Sequence, residues 1–134
     1  MDERNSGAAV TVLVVGALVA LGFAILISLL PAWVVLDTRW RVVVYVVVAL
    51  AAPPTVWFLQ AIARWRHLDQ RETFIWGAAG AMTFDGLAIG FLPGLYGQTG
   101  QALAWVASAL IFAFASLIVA GQLMLGNVVP APQR

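Results

Sequence analysis

The chain has 134 residues, of which 63% are hydrophobic and 10% charged, with a formal net charge of +1 and a mean hydropathy of +0.96. A chain this short has too much surface per unit volume to hide so much apolar area from water, which excludes a soluble globular domain. A disordered segment needs the opposite composition. Cysteine is absent, so disulfides and thiolate chemistry are excluded, and all seven basic residues are arginine, which removes lysine Schiff bases. The single histidine, His67, cannot build a multi-histidine metal or haem site, and no cofactor is expected. Nucleic-acid binding calls for a basic stripe that a net charge of +1 does not supply.

Charges fall in a few clusters separated by gaps of bilayer length. Residues 8–30 carry none, nor do residues 42–63, and between residues 73 and 133 the single charge is Asp85. The segment 94–100 (GLYGQTG) divides that last stretch. About 20 apolar residues rising 1.5 Å each cross a hydrocarbon core of roughly 30 Å. The pattern predicts an all-α membrane protein, a single-domain antiparallel bundle of four transmembrane helices at 8–30, 41–61, 73–95 and 101–124.

The first helix is expected to be retained rather than cleaved as a signal, because MDER is not a basic leader and no small-residue cleavage site follows Leu30. On the second, Pro53 and Pro54 remove two backbone donors and free the carbonyls of Ala49 and Leu50, so a kink or break is expected there, close in depth to Asp85. The third begins after Asp69 and Glu72, which have capping-box spacing. Short connections around Leu68 and Gly97 predict that the second and third helices, and the third and fourth, are antiparallel neighbours. The tail 127–134, with Pro130 and Pro132, is expected to fray.

Aromatic residues mark two interfaces. Trp33, Trp40, Tyr96 and Trp105 fall at one, and Trp65, Phe74 and Trp76 at the other. Arg4, Arg64, Arg66, Arg71 and Arg134 lie on the side of the termini, against Arg39 and Arg41 opposite. The positive-inside rule then places both termini in the cytoplasm of a bacterial inner-membrane protein.

Asp85 is the sharpest chemical signal. In a span of 73–95 it lies near the bilayer midplane, where a charged aspartate costs about 2.5–3.5 kcal/mol. It must be protonated, or face a partner or water. No other charge falls within a span, so the expected hydrogen-bond partners are Thr83, Thr55, Tyr45, Ser108 and Ser116. Two roles fit, a proton or cation relay or ligand anchor, and a neutral carboxyl that ties helices together.

Small residues recur every four positions. Gly86, Gly90 and Gly94 do so on the third helix, and Gly16, Ala20, Ala24 and Ser28 on the first. Such stripes let helix backbones approach closely, either inside one bundle or between copies in a homo-oligomer such as a dimer, or in a larger membrane complex. The loop around Arg64, Arg66 and Asp69 fixes topology or binds anionic headgroups of membrane lipids.

The stretch 82–96 (MTFDGLAIGFLPGLY) resembles the third span of a family of small, four-span bacterial inner-membrane proteins that carry a domain of unknown function. Met82, Asp85, Phe91, Pro93 and Tyr96 stand at the matching positions. The resemblance implies four spans and an important Asp85, and it implies no activity. In size and span number the chain is also similar to small multidrug transporters, but the glutamate that those carry in the first helix has no counterpart here.

Two functions are therefore expected to compete. One is a small proton- or cation-coupled transporter that uses Asp85, and the other is a non-catalytic structural or accessory subunit of a membrane complex. An enzyme is not expected, because Asp85 has no histidine, lysine or cysteine at its depth and Asp37 lies at the far interface.

Overall fold

The structure is a computed structural model that describes residues 3–126. Arg134 and the tail 127–134, expected to fray, lie outside the described residues. Among those described there is no strand. The elements are α1 (Glu3–Ser28), α2 (Ala32–Leu36), α3 (Thr38–Arg66), α4 (Gln70–Phe91), a 3-10 helix (Pro93–Tyr96) and α5 (Gly100–Leu125). Four of them, α1, α3, α4 and α5, are long and apolar enough to cross a membrane. Valines, leucines and isoleucines such as Leu18, Val46, Leu87 and Ile111 face outward along all four, an arrangement that suits lipid and not water.

Local chemistry sets the ends. Asp37 caps α3 by accepting from the backbone N–H of Arg39 at 2.8 Å and of Trp40 at 3.3 Å, which starts the helix earlier than residue 41. At its other end His67 adopts a left-handed conformation and Leu68 N–H donates to Ala63 O at 2.8 Å. Asp69 accepts from Glu72 N–H at 2.8 Å and starts α4. That helix ends at Phe91 rather than near residue 95, because Leu92 precedes a proline and is pushed off helical geometry, with φ −131° and ψ 51°. Pro93 then opens the 3-10 turn, and Gly97, at φ 64°, closes it.

Of the kink or break expected at Pro53-Pro54, a break does not occur. Residues 38–66 stay helical, with both proline rings exposed on the outer face. The lost donors are tolerated because α5 grips α3 on either side of them, at Tyr45 before and at Val56 and Leu59 after.

The most extensive packing pairs helices that are not consecutive, α1 with α4 and α3 with α5. The expected neighbours α3 and α4, and α4 and α5, also touch, but over less of their length. Within each close pair the helices run the same way. Gly16 of α1 meets Gly77 of α4, and Ser28 at the end of α1 meets Gly97, which closes the turn after α4, while Tyr45 meets Ser108 near the starts of α3 and α5.

The α1 stripe of Gly16, Ala20 and Ala24 is buried. A Cβ added to Gly16 would strike the carbonyl oxygen of Gly77, and one added to Gly80 would strike that of Leu13, so two backbones pass at the closest distance helices allow. The stripe of Gly86, Gly90 and Gly94 does not serve this packing. All three are exposed, with nothing within 4 Å of an added Cβ. Nine residues separate Gly86 from Gly77, a rotation of about 180°, so Gly86 points away from α1, and Gly94 falls beyond the end of α4.

Two of the aromatic residues expected at the interfaces turn inward. Phe74 is buried in the core over Gly121, whose missing side chain makes room for the ring, and Tyr96 is fully buried. Both face the protein interior, whereas Trp33, Trp40 and Trp65 are exposed.

Candidate functional site

α4 carries Asp85 six residues before its end at Phe91, about 9 Å along the axis and past the helix midpoint. The helix ends before the residue 95 expected for it, because Pro93 stops it. Asp85 is 6% exposed. Its Oδ1 accepts a hydrogen bond of 2.6 Å from the phenol of Tyr96, which is itself fully buried. The 3-10 turn makes this possible. Had α4 continued, Tyr96 would stand about 16 Å further along the axis than Asp85. Instead the chain turns after Leu92, and the Tyr96 ring packs among Ala24, Val35, Ala88 and Val106, with its hydroxyl on the carboxyl group.

The Tyr96 phenol is pushed above its ordinary value, first by burial and then by its bond to Asp85. The phenol therefore stays a donor across the usual pH range. Among the described residues no arginine meets Asp85.

Asp85 also lines a partly open cavity of ≈ 160 Å³ among α1, α3, α4 and α5. Val19 and Phe23 of α1, Val48 and Ala51 of α3 and Ala113 of α5 form much of the wall. Its polar lining consists of Asp85 and Thr55, and the Thr55 hydroxyl is committed to Ala51 O at 2.8 Å. Among the described residues Asp85 is thus the one ionisable group on the wall. A cavity of about this volume takes a benzene-sized apolar group and stays dry unless polar atoms hold water.

The other expected partners of Asp85 are elsewhere. Tyr45 and Ser108 bond to each other at 2.8 Å between α3 and α5. Thr83 is exposed on α4, and Ser116 is half-buried on α5 and does not line the cavity. Thr55 shares the cavity with Asp85 without bonding to it. Among the described residues no cluster of three histidine, cysteine, aspartate or glutamate side chains is placed to hold a metal.

Tyr96 was missed as the partner because an aromatic residue at a helix end reads as an interfacial anchor. The Leu92-Pro93 step was the available signal, since it stops the helix and folds the next residues back. Gln98 was missed as well. It is buried and its Nε2 donates to Leu30 O at 2.7 Å, tying the turn to the end of α1.

No protein family, curated protein or solved structure matches this chain. Its chemistry is therefore read from its own residues. A carboxyl group on an apolar wall, held by one neutral donor, can take up a proton or hold a cation, and it can anchor a ligand that carries a donor.

Proposed function

We propose that this chain is a small proton- or cation-coupled transporter of the bacterial inner membrane, with Asp85 as its coupling group. The observation that carries the reading is the Asp85 carboxyl on the wall of an apolar cavity bordered by all four long helices, with no cation among the described residues beside it. A bare carboxylate in such surroundings is costly, and a proton or cation entering the cavity relieves that cost. Tyr96 keeps its proton and orients the carboxyl in either state.

In this reading consecutive spans alternate in direction and both termini are cytoplasmic. The excess of arginine at the end holding Arg64, Arg66 and Arg71, against Arg39 and Arg41 at the other, supports that orientation. The test is proton movement driven by a potential across vesicles that contain the purified protein, followed with an entrapped pH dye. Asp85→Asn should abolish the flux and leave the helical content intact. Flux unchanged in that variant overturns the reading.

A second reading is a non-catalytic accessory subunit or a homo-oligomer. The exposed Gly86 and Gly90 face favours it, being open to the close approach of another helix. A stoichiometric partner that co-purifies, together with no flux at all, would support this alternative.

A further inference from the structure

A second feature lies away from Asp85, on the outer face of the α3–α5 pair. Arg41 stacks its guanidinium over the Trp105 ring, 3.6 Å from the centroid. One of its nitrogens donates to the Thr38 hydroxyl at 3.0 Å, and no carboxylate among the described residues meets it. Below this cation runs an open groove of ≈ 380 Å³ with apolar walls, formed by Val42, Val46 and Ala49 of α3 and Phe112 of α5. Its floor is fixed by the hydrogen bond between Tyr45 and Ser108 and by the contact of the Tyr45 and Phe112 rings, 5.1 Å between centroids.

The groove therefore has a charged mouth and an apolar shaft. From Arg41 to Ala49 it descends about 12 Å along α3. The mouth is at the end of the helices marked by the exposed Trp33 and Trp40, which touch edge to face at 5.8 Å, the level at which indoles meet headgroups. Arginine is weakly hydrated and binds phosphate through a planar fork of donors. Stacking on Trp105 holds that fork at the mouth before any ligand arrives.

We propose that this groove is a binding site for an anionic phospholipid of the leaflet at the Arg41 end, with the phosphate at Arg41 and one acyl chain along Val42, Val46 and Phe112. The occupant is a lipid and not a free anion because the shaft below the cation is apolar and opens sideways between spans. The site rests only on α3 and α5 crossing the membrane, so it stands or falls separately from Asp85.

The experiment uses Trp105 as the reporter. The full chain is placed in phosphatidylcholine vesicles containing a minor fraction of either phosphatidylglycerol or phosphatidylcholine with brominated acyl chains. The quenching lost on Trp105→Phe gives the Trp105 contribution. Brominated phosphatidylglycerol should quench Trp105 about fivefold more effectively than the brominated zwitterionic lipid, the factor that one basic residue contributes near an anionic surface. Arg41→Gln should remove that preference, and Arg39→Gln, at an exposed arginine of the same end, should keep it. Equal quenching of Trp105 by the two lipids in the groove with Arg41 in place overturns the proposal. So does a preference that survives Arg41→Gln, or one lost equally with Arg39→Gln, which would mark general surface charge.

Discussion

Tyr96 donates its phenol hydrogen to Oδ1 of Asp85 across 2.6 Å, although eleven residues and a change of helix type separate the two. The bond locks the end of α4 to the 3-10 turn and presents the rest of the carboxyl to the cavity. It also means that the carboxyl is oriented from the side of the turn, and not from α3 or α5.

Removing the donor should be costly. In Tyr96→Phe the ring still fills its place among Ala24, Val35 and Ala88, but Asp85 loses its partner. Leaving a buried acceptor unmatched costs about 1–3 kcal/mol, and denaturant unfolding in detergent should show a loss of that size. An unfolding midpoint equal to that of the parent chain would mean that the bond contributes nothing.

The same bond predicts a titration. The Tyr96 phenol is raised above its ordinary value by burial and by Asp85. The folded chain therefore keeps this proton where the unfolded chain, with a phenol near about 10, has lost it. The contribution to stability is complete below about pH 10 and falls as pH rises beyond it, since the folded state then binds more protons than the unfolded one. Tyrosinate absorbance measured on the parent and on Tyr96→Phe should differ little up to that pH. A phenolate signal from Tyr96 appearing at the ordinary value would contradict the buried pairing.

Glycines on opposite faces of α4 should behave oppositely. Gly77→Ala forces a Cβ to within 2.9 Å of the Leu59 side chain, and Gly80→Ala drives one into the Leu13 carbonyl. The backbone clash cannot be relieved by a rotamer change, so Gly80→Ala should cost about 1–3 kcal/mol or more. Gly86→Ala and Gly90→Ala meet open space, and alanine's helix preference should stabilise each by up to about 1 kcal/mol. Thermal melts of the four variants check the contrast. Cross-linking of Gly86→Leu then reports on self-association, which the melts do not.

Gln98 should matter more than a loop residue usually does. Gln98→Ala leaves the carbonyl of Leu30 without its donor at 2.7 Å and frees the 3-10 turn from α1. A loss of about 1–3 kcal/mol is expected, with hydrogen exchange rising first at Leu29 to Leu30 and in the turn at Gly97. Unchanged protection there would show that the contact of Ser28 with Gly97 suffices alone.

Much of this protein was legible in one dimension. The number of spans, the Asp69 cap of α4 and the solitary charge at Asp85 follow from hydropathic length, short-range hydrogen bonding and composition, which are properties of neighbours in the chain. Tertiary structure alone decided which glycines touch and which side chain meets the aspartate. Residues 77 and 80, 86 and 90 are equally small, and period-four spacing describes more than one face of a helix. Only the position of α1 selects between them, because backbone contact is a matter of steric fit between two surfaces. Likewise Thr55, Tyr45 and Ser108 were as suitable by chemistry as Tyr96 to bond Asp85. The early stop at Pro93 and the fold-back of the 3-10 turn gave that place to Tyr96, while α3 and α5 used the hydroxyls of Tyr45 and Ser108 on each other.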